Sequence, residues 1–141
     1  MLFQIKSYIQ FLLKSTNQHS VHSPFVYNLV TKCFYNKTNI NKIKNITQYR
    51  KDLLQNHSEI SVIDFGKGSK VFKSNQREIA KIAKIVGISK KRSELLIRIT
   101  EYFKPKTILE IGTSLGIGTA SIQIGNSTSK ITTLEGCKNT S

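Results

Sequence analysis

Cysteine is nearly absent from this chain of 141 residues, and the two present, Cys33 and Cys137, lie far apart. That spacing builds neither a disulfide framework nor a metal-binding motif, which fits a reducing compartment and two free thiols. Long apolar runs are missing too. No stretch approaches the ~20 apolar residues that cross a bilayer, and the opening "MLFQIKSYIQFLLK" is broken by Lys6 and Gln10 with no small-residue cleavage site behind it. A cytoplasmic protein without a membrane partner is the expectation. Internal repeats and long low-complexity segments are also lacking.

Acidic residues are scarce: 8 Asp and Glu stand against 22 Lys and Arg, for a net charge of +14. Such an excess ordinarily points to an acidic partner. Here it is mostly lysine, spread along the chain among Asn and Ile, a mixture that biased codon usage also produces. Diffuse lysines of this kind solvate a surface, with nucleic acid or an anionic small molecule as the alternative partner.

The length suits one domain or part of one. Leu2, Ile5, Ile9, Leu12 and Leu13 recur at helical spacing over residues 2–14, and predict an amphipathic helix that needs something to pack on. The polar "STNQHS" ends it. In "SPFVYNLVTKCF", Ser23 is a capping residue and Pro24 a first helical residue, with Phe25, Val26, Leu29, Val30, Cys33 and Phe34 as the apolar face. A third helix is predicted from about residue 40 to 56. "ISVIDFGKGSK" reads as a short strand or extended segment, and its glycine turn at 64–69 as structural, with an active-site lid as the alternative. Asn75 and Glu78 stand close to a capping box and predict a helix from there to Gly87. Ser89 starts another, burying Leu95, Leu96, Ile99 and Phe103, which Pro105 stops.

From residue 105 the periodicity changes. "TILEI" is a buried-strand run, "GTASIQIG" a short helix and "KITTLE" a second strand, the unit from which parallel sheets are built. Between the first strand and the helix stand Gly112, Gly116 and Gly118. Glycines there let a ligand approach the backbone closely. Glu135 closes the following strand 23 residues after Gly112, at the distance expected of an acid that reads ribose hydroxyls. A phosphate-binding loop would need Lys and then Ser or Thr at its end, whereas Gly116 is followed by Ile117. A dinucleotide fingerprint asks for Gly or Ala at its third position, where Ser121 stands, and Gly112 sits too early for it, so that reading stays open only as a weak alternative.

The pattern left is Glu-x-Gly-x-x-x-Gly-x-Gly, from Glu110 to Gly118. "ILEIGTSLGIGTASI" resembles the first motif of the class I S-adenosylmethionine-dependent methyltransferases, in its small-molecule O-methyltransferase form, and "ITTLEG" resembles their second. "HSVHSPFVYNLV" and "VIDFGKGSK" are similar to a bacterial branch of that superfamily. The resemblance implies an α/β fold: a helical region over residues 1–104, then over 105–141 the first strand, helix and strand of a Rossmann-like sheet that has seven strands in the family. By that count the sheet is incomplete, and the chain reads as the N-terminal part of a longer protein, inactive without its acceptor half.

The resemblance also assigns roles. Gly112, Thr113 and Ser114 would line the methionine part of S-adenosylmethionine. Glu110 would order the loop or bind the amino group through water. Glu135 would hold the ribose, with Gly136 and Cys137 beside the adenine. Gly118 stands where many relatives carry a serine for the cofactor carboxylate, so Thr119 or the N–H groups of the helix start would take that role. The acceptor would be an oxygen or nitrogen of a small molecule, and the catalytic base would come from beyond the second strand.

A rival from another class is a helix-turn-helix over residues 75–103, with Lys90, Lys91 and Arg92 opening its second helix toward nucleic acid. His19 and His22 find no further ligand at metal spacing, and no metal site is expected.

Overall fold

The computed structural model describes the chain except Met1, Thr16, Asn17, residues 65–67, Lys70 and Ser141. It combines helices with two small sheets, and the chain divides into two compact units, Met1–Asn36 and Lys37–Ser141.

In the first unit α1 runs over Leu2–Lys14, and none of its residues is buried. Residues 16 and 17 of the polar break fall outside the described residues, and Gln18–Ser20 form a single turn. Helix α2 begins at Pro24, as expected, with Ser23 Oγ accepting from the N–H of Val26 at 3.4 Å. It does not continue as a regular helix. Over Leu29–Phe34 it widens, the N–H of Tyr35 reaching back five residues to Val30 O at 2.9 Å. Of the expected apolar face, Cys33 is buried while Phe25, Val26 and Phe34 stay exposed.

The second unit opens with α3 (Ile40–Leu54), capped by Asn39 Oδ1 on the N–H of Asn41 at 2.8 Å. Strand β1 (Glu59–Ser61) then pairs antiparallel with β2 (Gln76–Glu78). The expected capping box at Asn75 is therefore a correction. Residues 76–78 are held extended by a partner some seventeen residues earlier, and α4 (Ile79–Ile85) starts only after Glu78, whose side chain makes no capping bond. Non-local pairing has overridden a local signal. Gly87 does end the helix, donating to Ile82 O at 3.1 Å.

Helix α5 (Lys90–Phe103) has the expected cap, Ser89 Oγ accepting from the N–H of Arg92 at 3.4 Å, and it ends on a left-handed Lys104 before Pro105. Its buried stripe differs from expectation. Ser93, Ile97 and Thr100 face inward, while Leu95, Leu96 and Ile99 are half-buried and Phe103 is exposed. Helix α6 (Ile117–Gly125) comes close to that stripe: a Cβ on Gly125 would sit 2.7 Å from Ile97 O and 2.8 Å from Thr100 Cβ. Lys42 Nζ spans the same junction, 2.9 Å from Glu101 and 3.2 Å from Gly125 O, a cation at the negative end of α6. The core beneath is Ile46, Ile97 and Ile117, one residue from each of α3, α5 and α6.

Among the described residues Ser93 Oγ is the buried side-chain atom that finds no hydrogen-bond partner. An unsatisfied buried hydroxyl costs about 1 kcal/mol or more. Ser93→Ala is therefore expected to leave stability unchanged or raise it by about 1 kcal/mol, read from urea unfolding; a clear loss would mean the hydroxyl is bonded.

Strand β3 (Thr107–Ile111), helix α6 and strand β4 (Lys130–Leu134) form the expected strand, helix, strand unit, with β3 and β4 parallel and Glu110 opposite Thr133. "TILEI" is not buried on both sides. Helix α6 covers the face bearing Ile108 and Glu110, and the other face leaves Leu109 62% and Ile111 81% exposed. The helices of residues 37–104 and the segment from 105 belong to one compact unit.

Candidate functional site

At the C-terminal ends of β3 and β4 the chain turns through the glycine loop on one side and Glu135 on the other. Gly112 has φ +89°, and its N–H donates to Leu134 O at 2.8 Å, so β3 stays tied to β4 as it leaves the sheet. Gly116 has φ +69° and caps α6, where a side chain would be strained. Ser114, at φ +48°, is held in the left-handed region without being glycine. Its backbone has a use there: the N–H points at Glu135 Oε2, 2.7 Å away.

Glu135 is thus the hub. Its other oxygen accepts from the N–H of Cys137 at 3.0 Å. The N–H groups of Cys137 and then Ser114 hold its carboxyl below the usual carboxylate range, against a partial desolvation that works the other way. The stability this linkage supplies is fully present above the unfolded value near 4.5 and is lost as pH falls through the lower folded value. Urea titrations from pH 7 to 3 should show wild type more stable than Glu135→Gln at neutral pH, the two converging in acid. A difference independent of pH would contradict this.

Glu110 bridges α6 and β4. Its Oε2 accepts from the hydroxyls of Thr119 and Thr133, the latter at 3.1 Å, and the Thr113 and Thr133 hydroxyls bond each other. Glu110 lies so close to α6 that a Cβ on Gly118 would come within 2.5 Å of its Oε1. With the Thr119 hydroxyl committed to Glu110, the donors remaining at the start of α6 are backbone N–H groups, and no side chain caps them. Uncapped N–H groups at the positive end of a helix suit a carboxylate.

Two adjoining cavities meet at Glu135, Ser114 and Val86. One, of about 310 Å³, runs along the loop past Gly112, Thr113, Gly118, Glu110 and Ile117. The other, of about 320 Å³, runs from Gly136, Cys137 and Thr140 to Val62, Ile63, Asp64, Arg77 and Ile82. Eight of the nine residues singled out in the sequence therefore line these two adjoining cavities.

Gly116 does not. It faces the opposite side of the loop, beside Tyr49, whose hydroxyl donates to Leu115 O at 3.0 Å. Cys137 is buried: its Sγ accepts from the N–H of Ile63 at 3.3 Å, tying the end of β4 to the exit of β1, and that N–H lowers the thiol pKa.

Asp64 and Arg77 were not singled out as ligand residues in the sequence. Asp64 belongs to the turn read as structural, of which residues 65–67 lie outside the described residues. Arg77 carried no motif signal, because its place depends on the β1–β2 pairing.

The basic residues Lys90, Lys91 and Arg92 stand exposed on the first turn of α5. In a helix-turn-helix the two helices pack on each other. Here α4 takes its packing from α3, and α5 from α6. Arg50 of α3 braces the connecting turn by donating to Ile88 O and to Ala83 O. Among the described residues no helix is long and apolar enough to cross a membrane.

No protein-family model matches the chain, and no curated protein or solved structure matches it either.

Proposed function

We propose that the chain is a nucleoside-binding α/β protein built around one Rossmann-like strand, helix, strand unit. More particularly, we assign it to the S-adenosylmethionine-dependent methyltransferases, acting on an oxygen or nitrogen of a small molecule. The observation that carries this is the pair of adjoining cavities that meet at Glu135, one of them holding an uncapped helix start.

The residues fit the cofactor. Glu135 would accept from the two ribose hydroxyls; a carboxylate accepts about four hydrogen bonds, so it can do this while keeping the N–H groups of Ser114 and Cys137. The N–H groups of Ile117 and Gly118 would take the carboxylate, and Gly112 lets the methionine chain pass close to the backbone. Glu110 keeps the loop in place through Thr119 and Thr133.

When bound, the cofactor supplies a sulfonium methyl group to a nucleophilic acceptor. The chain's own residues contribute orientation: holding two reactants in line can supply roughly 7 to 11 kcal/mol of a barrier. Calorimetric titration with S-adenosylhomocysteine tests the assignment. Saturable one-site binding is expected, with no comparable heat from adenosine diphosphate, whose phosphates need a loop chemistry this chain lacks.

A further inference from the structure

The cleft has a direction. A zwitterionic amino acid tail belongs in the cavity that contains the uncapped start of α6, because that end offers N–H donors and a positive dipole. With the ribose at Glu135, the base then falls in the other cavity. That cavity is walled by the apolar side chains Val62, Ile63, Ile82 and Val86, surfaces suited to the faces of a flat ring, and its ionised side chains beyond Glu135 are Asp64 and Arg77.

We infer that Asp64 reads the base, accepting a hydrogen bond from the exocyclic amino group of adenine, and that Arg77 positions Asp64. The inference rests on the cofactor reading above and names a determinant from outside the strand, helix, strand unit.

The two charges have different tasks because their surroundings differ. Arg77 is buried, 9% exposed, and its guanidinium is spoken for: Nε donates to Ser74 O at 3.2 Å, Nη2 lies 3.6 Å from Asp64 Oδ2, and the group sits 5.0 Å from the centre of the Phe72 ring. Fixed on three sides, it serves as a mount. Asp64 stands at the cavity edge, its side chain 32% exposed. An ionised carboxylate only accepts, and accepts several hydrogen bonds at once, so pairing with Arg77 is compatible with reading a donor. Adenine offers an amino donor at that edge, whereas hypoxanthine offers a carbonyl oxygen, which a carboxylate repels.

The backbone around Asp64 is anchored to the same site. The N–H of Ile63 donates to Cys137 Sγ, and Ser61 O accepts from Asn139 Nδ2 at 2.8 Å. The segment carrying Asp64 is thereby held against the residues that follow Glu135.

The test compares S-adenosylhomocysteine with S-inosylhomocysteine by calorimetry on wild type, Asp64→Asn and Glu135→Ala, with circular dichroism to confirm folding. Wild type should prefer the adenine form by about 30-fold, the scale of one hydrogen bond to a charged group. Asp64→Asn should shrink that preference to within about 3-fold, since an amide can present either a donor or an acceptor. Glu135→Ala should weaken both nucleosides while keeping their ratio. Arg77→Lys should lower the preference without abolishing binding, as expected of a residue acting through Asp64.

If wild type binds both nucleosides equally, or Asp64→Asn keeps the full preference, the assignment of Asp64 is overturned and the cofactor reading stands. If wild type binds neither nucleoside, both fall.

Discussion

Glu135→Ala is expected to lower the affinity for S-adenosylhomocysteine by about 100-fold or more, the scale of two hydrogen bonds to a charged acceptor. The substitution acts twice. It removes the acceptor for the ribose, and it leaves the N–H groups of Ser114 and Cys137 without the carboxylate that now holds the loop and the β4 exit together. Glu135→Gln separates these effects: an amide oxygen keeps one of the acceptors but not the charge, so an intermediate loss is expected. Equal affinity of wild type and Glu135→Ala in a calorimetric titration would sink the assignment of the cleft.

Gly125→Val is expected to cost about 3 kcal/mol of stability, lowering Tm by roughly 10 °C for a chain of this size. No positive φ demands glycine at 125. The demand comes from across the helix interface, where Ile97 O and Thr100 Cβ already occupy the space a side chain would need. Gly125→Ala should fall between, because better helix propensity, about 1 kcal/mol, offsets part of the crowding. Thermal unfolding of the three proteins checks this. Losses that fail to grow from alanine to valine would mean that α5 and α6 do not approach as closely as described.

What could be read in the sequence was what local chemistry settles. Ser23 with Pro24, Ser89, and Pro105 mark helix ends through bonds within a few residues of themselves, and the structure has those ends. The change from helical to strand periodicity at residue 105 likewise located β3, α6 and β4. The readings that changed depend on partners remote in sequence. Residues 76–78 are extended because β1 pairs with them, and Asn75 and Glu78 contain no trace of that. Residue spacing placed Gly116 with the ligand glycines, yet it lines the side of the loop beside Tyr49, a residue 66 positions before Leu115, whose carbonyl the Tyr49 hydroxyl bonds. Ser93, Ile97 and Thr100, rather than Leu95, Leu96, Ile99 and Phe103, form the inner stripe of α5, where Gly125 of α6 comes close, a relation between two helices that neither segment shows alone.

The face of the β3–β4 sheet turned away from α6 gives the lysine excess a colloidal meaning. Ile111 pairs with Leu134 across the sheet, and Leu109 lies two residues before on the same side, so three apolar side chains share one open surface. Surfaces of that kind seek each other between molecules. Copies carrying +14 each repel over the Debye length, about 10 Å at 0.1 M salt and about 3 Å at 1 M. Concentrated salt therefore removes the long-range barrier while leaving the short-range attraction in place.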